Sequence, residues 1–242
     1  MAFELEEIVS WGRMHAEYVR MFDLSGGDLK KKILGCADGP SGFNFGQTQR
    51  GYDVISIDPI YEYQADEIRN RVLSTKAEIL DQLHKNREVY VWDAFKTPEE
   101  LVDARIEALK IFLQDYEPGK REGRYLPESL PELSFQDKTF EIAVCSHLLF
   151  TFTDHLDADF HIAAINEMIR VSQEVRIFPL LDLSGKKSTH LDAVLSELEK
   201  RKIRTEILTV PYEIQHGGNK MLKVSDNRNR VRPHYSSKLS YD

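Results

Sequence analysis

The sequence lacks the features that mark several large classes of protein. It has two cysteines, Cys36 and Cys145, in 242 residues. That is too few for a disulfide framework, so both are predicted to be reduced and buried. No apolar run approaches the roughly 18 residues of a membrane span, so no contact with a membrane is predicted. The first residues are acidic where a secretory signal carries Lys or Arg, and we therefore expect a cytoplasmic protein.

Basic charge is also scarce. The chain carries 32 Lys and Arg against 40 Asp and Glu, a net charge of −8. A protein that binds nucleic acid phosphates usually has a positive net charge, so a small-molecule substrate is favoured over a polynucleotide. With 41% apolar and 30% charged residues, the chain is typical of one folded domain with a substantial core. Nothing in the sequence indicates an oligomeric state.

Short β-rich runs alternate with stretches of helical periodicity along most of the chain. This alternation predicts a doubly wound α/β fold, in which helices cover both faces of a mostly parallel sheet. The link between the last two runs is too short for a parallel crossover, so the last strand is predicted to be antiparallel. The β-rich runs cover residues 32–36, 53–58, 140–145, 174–181, 205–210 and 220–224.

One long helical segment interrupts this alternation. Residues 62–123 are too many for a single crossover, and Thr97 followed by Pro98 predicts a helix start inside the segment. We interpret it as a helical insertion between strands 2 and 3. Its aromatic residues Tyr63 and Trp92 are candidates for an acceptor pocket, and the alternative is that the insertion only covers a sheet edge. The tail, residues 225–242, is predicted to be a loose terminus of the single domain 1–242.

The first strand runs into a turn of small residues, Ala37-Asp38-Gly39-Pro40-Ser41-Gly42. Small residues there let a ligand approach the backbone closely. The second strand ends at Asp58, 58 − 39 = 19 residues after Gly39. This spacing is typical of a carboxylate that binds the hydroxyl groups of an adenosine ribose. The alternative is that Asp58 only caps the turn that begins at Pro59.

Two classes of cofactor use such an arrangement. A dinucleotide needs free backbone N–H groups for its pyrophosphate, whereas Asp38 brings a negative charge and Pro40 removes a donor. A ligand with a sulfonium and an ammonium group tolerates both residues. Electrostatics therefore favours S-adenosylmethionine over NAD.

The chain resembles the class I S-adenosylmethionine-dependent methyltransferases. Residues 130–144, with the letters LPELSFQDKTFEIAV, are similar to that superfamily's segment before the fourth strand. Residues 11–22, 176–182 and 211–213 are similar to a bacterial, largely uncharacterised branch of these enzymes. The resemblance implies a Rossmann-like sheet of seven strands, a methyltransferase-like domain and S-adenosylmethionine as the cofactor.

The resemblance also implies where the ligands bind. The turn and the end of the second strand would hold the cofactor, the segment before the fourth strand would read its adenine, and the residues after that strand would lie where methyl donor and acceptor meet. The positions that match are Ala37, Asp38, Gly39, Asp58, Pro59, Ser129, Leu130, Ser146 and His147.

The sequence departs from the superfamily at two positions. Gly35 stands where an acidic residue is usual, and Ala37 stands where the first glycine of the motif is usual. Asp38, three residues after Gly35, is the candidate to supply the missing carboxylate to the ammonium group of the cofactor. Cofactor affinity depends on whether it does so.

Further candidates each have two interpretations. Arg13 either pairs with the methionine carboxylate of the cofactor or is a surface arginine on an amphipathic helix. His147 is either an acid/base catalyst or a structural histidine. The group His155, Asp157, Asp159 and His161 fits the start of a helix better than a metal site, so no metal is predicted.

These observations predict S-adenosylmethionine-dependent methyl transfer to a small-molecule acceptor. The alternative is a non-catalytic protein that binds an adenosine ligand on the same fold. An NAD-dependent oxidoreductase is the third and least favoured possibility.

Overall fold

The computed structural model describes residues 11–225, and the predicted loose tail therefore lies, apart from Ser225, outside the described residues. Seven strands form one sheet in the order β3-β2-β1-β4-β5-β7-β6. The strands are β1 (Ile33–Cys36), β2 (Val54–Ile57), β3 (Tyr125–Leu126), β4 (Phe140–Ser146), β5 (Ser172–Phe178), β6 (Arg204–Thr209) and β7 (Lys220–Ser225).

In the described part of the chain, seven α-helices accompany the sheet. They are α1 (His15–Met21), α2 (Phe43–Thr48), α3 (Ala65–Ser74), α4 (Lys76–Lys85), α5 (Pro98–Arg121), α6 (Ala158–Val171) and α7 (Leu191–Lys200). No helix within residues 11–225 combines the length and the apolar character that crossing a bilayer requires.

Strand directions agree with the prediction for the fold. The neighbours from β3 to β5 are parallel, and β7 runs antiparallel to both β5 and β6. The short link between β6 and β7 allows only this arrangement. The Rossmann-like α/β fold with an antiparallel last strand is therefore confirmed.

The sheet is buried on both faces, which explains why its central strands are continuously apolar. In β1, Leu34 and Cys36 belong to a core cluster with residues of α6 and α7, whereas Ile33 packs on the opposite face with residues of α1. Both cysteines are buried and free, as the sequence predicts.

Three helices and a connecting loop make up the predicted insertion. Its long helix α5 starts as expected, because the Thr97 side chain accepts a hydrogen bond from the Glu100 N–H and Pro98 occupies the first turn. The apolar periodicity that runs through residues 65–83 belongs to two helices, α3 and α4, which meet at Thr75. There the Thr75 hydroxyl accepts a 2.8 Å hydrogen bond from the Trp11 indole, so the N-terminal segment is held against the insertion.

Candidate functional site

A cleft of about 670 Å³ opens at the carboxyl ends of β1, β2 and β4. Its volume suits a ligand of cofactor size. The structure brings all but one of the predicted site residues to this cleft, the exception being Trp92. The predicted residues that line it are Arg13, Ala37, Asp38, Gly39, Asp58, Pro59, Tyr63, Ser129, Leu130, Ser146 and His147.

The backbone donors of the glycine-rich turn from Asp38 onward are engaged within the protein. Gly39 N–H donates to Asp58 Oδ2 at 2.9 Å, and Pro40 has no N–H to offer. The backbone N–H groups of Ser41 and Phe43 donate within the turn, to the Gly39 carbonyl and the Ser41 hydroxyl respectively. Those of Asp38 and Gly42 donate to neighbouring segments, to the Ile57 carbonyl and the Arg13 carbonyl. The turn therefore has no free N–H between Asp38 and Phe43 for an anionic ligand.

Asp38 occupies the volume that a side chain at position 35 would fill. A Cβ atom on Gly35 would lie 1.8 Å from Asp38 Oδ2, so glycine is required there as long as Asp38 folds back over β1. The Asp38 carboxylate accepts hydrogen bonds from the hydroxyls of Tyr18 at 2.9 Å and Ser56 at 2.6 Å. Burial, helped by the nearby charge of Asp58, raises the pKa of Asp38 to about 7.

Asp58 both caps the turn after β2 and lines the cleft. One of its oxygens accepts the Gly39 N–H, and the other accepts the Ile60 N–H at 2.9 Å. Each carboxylate oxygen has two lone pairs, so capacity remains for ligand hydroxyls. Burial raises the pKa of Asp58 to about 6, and the group is therefore mainly ionised at neutral pH.

The backbone of the turn is left-handed at two positions. Gly39 has φ +54° and Ala37 has φ +53°, a region that favours glycine over alanine. Tyr61, just before the insertion, is a further contact of this turn that the sequence did not predict. Tyr61 is fully buried, and its hydroxyl donates to the Gly39 carbonyl at 2.6 Å. This hydrogen bond holds the turn in its conformation.

The N-terminal segment crosses directly over the turn. A Cβ atom on Gly12 would lie 1.9 Å from the Pro40 carbonyl oxygen, so the two backbones approach closely there. The next residue, Arg13, accepts the Gly42 N–H on its carbonyl. This crossing delivers the Arg13 side chain to the cleft.

Arg13 has no anionic partner within residues 11–225. Its Nη1 donates to the Trp11 carbonyl at 2.8 Å, its Nε is buried without a hydrogen bond, and no ion pair among residues 11–225 includes it. Nearby Arg105 is already neutralised, because it binds Glu17 at 2.7 Å. Desolvation, followed by the charge of Arg105, lowers the pKa of Arg13. The cleft thus contains a guanidinium group whose positive charge is not neutralised by a described residue, and such a group is suited to bind the carboxylate of a ligand.

His147 follows β4 in a left-handed conformation, with φ +55°. Its backbone N–H donates to the Phe178 carbonyl at 2.8 Å, and its Nδ1 lies 2.8 Å from the Ser146 hydroxyl. Burial, then the charges of Arg13 and Arg105, holds the pKa of His147 well below its ordinary value. The imidazole is therefore neutral at pH 7, and no hydrogen bond of the described residues engages its Nε2.

A second, mostly apolar cavity of about 160 Å³ adjoins the cleft. The two spaces share four lining residues, Trp11, Arg13, His147 and Phe152. The insertion forms one wall of the second cavity. The N-terminal segment, the end of β5, and the residues after β4, after β5 and between β6 and β7 form the rest. From the insertion come Ile79, Leu83, Tyr90, Leu101, Val102 and Arg105.

The two aromatics predicted for an acceptor pocket lie elsewhere. Tyr63 lines the larger cleft, beneath the Arg71 guanidinium at 3.9 Å. The Trp92 indole donates to the Arg87 carbonyl at 2.9 Å and stacks against the Arg87 side chain, outside both spaces. Trp92 is thus anchored to its own loop, and Tyr90, two residues earlier, faces the cavity instead.

The histidine and aspartate group near residue 155 forms the start of a helix, as predicted. Asp157 caps α6 by accepting the Phe160 N–H at 2.8 Å, and His161 Nε2 accepts the Phe150 N–H at 2.9 Å. Within residues 11–225, no group of three or more potential ligands is placed to hold a metal ion.

The chain is 36% identical over 223 residues to the "Uncharacterized protein MJ0045" of Methanocaldococcus jannaschii, across 91% of this chain and 97% of that protein. It therefore belongs to the same family as that protein. No family model matches the chain. Since this relative comes from an archaeon, membership of a bacterial branch stays a prediction.

Solved structures that resemble the chain do so at low identity. A SAM-dependent methyltransferase from Aquifex aeolicus is 15% identical, with 87% of each chain covered and a TM-score of 0.40. A putative RNA methyltransferase from Pyrococcus horikoshii is 12% identical, with 87% of this chain and 83% of that chain covered and a TM-score of 0.39. Magnesium protoporphyrin IX methyltransferase from Synechocystis is 10% identical, with 82% and 72% covered and a TM-score of 0.39. These likenesses concern the fold alone.

Proposed function

We propose that this chain, as a member of that family, binds S-adenosylmethionine and transfers its methyl group to a small-molecule acceptor. One observation carries the proposal. The large cleft joins two buried carboxylates, Asp38 and Asp58, to an arginine without an anionic partner, Arg13. A ligand that bears hydroxyls, a cationic centre and a carboxylate complements this set of charges.

Each part of that ligand has a matching group in the cleft. Asp58 would accept hydrogen bonds from the ribose hydroxyls, Asp38 would face the ammonium group, and Arg13 would pair with the methionine carboxylate. Ser129 and Leu130 line the same cleft and would contact the adenine. Ala37, Gly39 and Pro59 supply the closely approaching backbone, and Ser146 borders the methionine end.

The same geometry disfavours NAD. A pyrophosphate needs free N–H groups at the turn and the first turn of the following helix. Here the turn's donors are engaged from Asp38 to Phe43, and helix α2 has only six residues. Two buried carboxylates beside the turn would repel a dianion as well.

Catalysis would depend on alignment and on exclusion of water. When bound, S-adenosylmethionine supplies a methyl group on a positively charged sulfur. Neutral His147 lines both the cleft and the second cavity and would accept a hydrogen bond from an acceptor on Nε2. The apolar side chains of Leu101, Val102 and Phe152 line the second cavity and would keep water out of it.

A non-catalytic adenosine-binding protein would use the same cleft. Binding of an adenosine ligand alone does not account for the second cavity, which shares His147 and Arg13 with the cleft. Methyl transfer accounts for both spaces, and the small volume of the second favours a small acceptor over a polymer.

Substitution of Asp58 tests the proposal. We expect Asp58→Ala to weaken S-adenosylmethionine binding, measured by calorimetry, by about 10- to 150-fold, which corresponds to the ~1.5–3 kcal/mol of a hydrogen bond to a charged group. Because Asp58 also holds the Gly39 and Ile60 N–H groups, Asp58→Asn serves as a milder second variant. The exposed Asp53→Ala at the start of β2 is the matched control.

Circular dichroism would check that each variant folds. Unchanged affinity in a folded Asp58→Ala protein would remove the ribose assignment and with it the main support for the cofactor.

A further inference from the structure

We propose that the second cavity is the acceptor site and that it takes a single-ring phenol, an aromatic ring bearing a hydroxyl group. This inference rests on the proposed function for the neighbouring cleft. It adds the chemical class of the acceptor, which follows from the size of the cavity, one unpartnered hydroxyl and the local charge.

Size limits the acceptor to about one ring. The cavity holds about 160 Å³, and an apolar protein cavity of roughly 150 Å³ is known to accommodate benzene. Aliphatic and aromatic side chains supply most of its surface, including Leu83, Leu101, Val102, Phe152 and Phe178. A flat apolar ring fills such a space, whereas a long or highly polar metabolite would leave its polar groups unsatisfied.

One hydroxyl group in the cavity lacks a partner among the described residues. Thr151 lines the space, only 8% of the residue is exposed, and its Oγ1 is buried without a hydrogen bond among the described residues. A buried hydroxyl without a partner costs free energy, so this position calls for a ligand that can donate or accept a hydrogen bond. His147 lines the same cavity, so a ligand hydroxyl would have both Thr151 and His147 as polar neighbours in a mostly apolar space.

Charge decides against an amine. Both Arg13 and Arg105 line the cavity, and only Arg105 is balanced, by Glu17 at 2.7 Å. In the protein without cofactor, this unbalanced charge would repel an ammonium group. With S-adenosylmethionine bound, the cofactor carboxylate would balance Arg13, and the cofactor's sulfonium would be the positive charge that disfavours an ammonium group.

The reaction is then balanced without a further reactant. The phenol O–H would donate a hydrogen bond to neutral His147 Nε2, and its proton is released to solvent as the phenol oxygen forms a bond to the methyl carbon with its own lone pair. The carbon–sulfur bond breaks with its electron pair left on sulfur. The products are an aryl methyl ether, S-adenosylhomocysteine and a proton in solvent.

Binding of three probes tests the inference without any turnover. Phenol, toluene and benzylamine have similar size, and they differ in carrying a hydroxyl, no polar group or a cationic amine. Titration followed by NMR, with and without S-adenosylhomocysteine, should give saturable binding of phenol. We expect toluene to bind about fivefold more weakly, the factor of one neutral hydrogen bond, and benzylamine not to saturate.

Thr151→Val assigns the hydrogen bond. The variant keeps the shape of the side chain and removes the unpartnered hydroxyl, so we expect it to fold, to lose the fivefold preference for phenol and to retain its affinity for S-adenosylhomocysteine. The matched control is Thr205→Val on β6, distant from both spaces. Val102→Phe, which reduces the cavity volume, should abolish binding of both phenol and toluene.

The outcomes separate this inference from the proposed function. If S-adenosylhomocysteine binds but phenol does not, or if phenol and toluene bind equally to the wild type, the acceptor class is wrong and the cofactor assignment stands. Phenol binding that Thr151→Val leaves unchanged would also overturn it. If phenol binds as expected and S-adenosylhomocysteine does not, the cofactor assignment is the part that fails.

Discussion

Replacement of Arg13 by Met should weaken ligand binding while leaving the stability of the fold almost unchanged, so the two effects can be measured separately. Arg13 makes one hydrogen bond, to the Trp11 carbonyl, and has no ion pair among the described residues. Met keeps an unbranched apolar stem of similar reach. We therefore expect the free energy of unfolding to change by no more than about 1 kcal/mol, unlike the loss expected for a paired arginine such as Arg105.

The effect on ligand binding should be much larger. A guanidinium that pairs with a carboxylate in a partly buried cleft contributes about 2–3 kcal/mol. Removing it should therefore weaken S-adenosylmethionine binding by about 30- to 150-fold.

Calorimetry with two ligands identifies which part of the cofactor Arg13 holds. 5′-Methylthioadenosine contains the adenosine and the sulfur but has no carboxylate, so its affinity should be the same for Arg13→Met and the wild type. Arg121→Met, an exposed position at the end of α5, controls for loss of charge. Equal losses for both ligands would mean that Arg13 acts on the turn, and no loss for either would mean that the carboxylate lies elsewhere.

Two further predictions concern Asp38. Gly35→Ala would place a Cβ 1.8 Å from Asp38 Oδ2, so urea denaturation should show a loss of about 2–4 kcal/mol. The same change should cost less than about 1 kcal/mol in an Asp38→Gly background, and additive losses would contradict the contact. Second, because burial raises the pKa of Asp38 to about 7, ionisation disfavours the folded state. The wild type should lose about 3 kcal/mol relative to Asp38→Asn between pH 5 and pH 8; a pH-independent difference would contradict that pKa.

The parts of the site that the sequence predicts are those set by short-range chain geometry. Asp58 must meet the turn at Gly39 because both stand at the carboxyl ends of adjacent parallel strands, β1 and β2. The antiparallel β7 follows in the same way from the length of one link. Such features depend on strand ends and connection lengths, which periodicity reveals.

The missed parts depend on contacts between distant segments. Glu17, Arg105 and Tyr212 form one buried hydrogen-bonded group, with Tyr212 donating to Glu17 at 2.7 Å across 195 residues of chain. No local sequence pattern predicts such a hydrogen-bonded group. Asp38 takes the place of a side chain at position 35 because the turn folds back over β1. The sequence does not show this reversal of the chain, which only the three-dimensional structure reveals.

Which of Tyr90 and Trp92 faces the second cavity could not be predicted from the sequence for a related reason. Both residues follow a single turn of 3₁₀ helix, Arg87–Val89, where neither helical nor strand periodicity assigns a face. The two-residue strand β3 was similarly too short to give a periodic signal.

Calorimetry of the wild-type protein with S-adenosylmethionine and with NAD tests the central claim most directly. The claim is that the cleft suits a zwitterionic adenosine ligand and rejects a pyrophosphate. We expect one S-adenosylmethionine per chain, with an affinity that falls as the pH drops through about 7 to 6 and the two carboxylates become protonated. NAD should give no saturable heat under the same conditions. Tighter binding of NAD, or no binding of S-adenosylmethionine by the folded protein, would contradict the account.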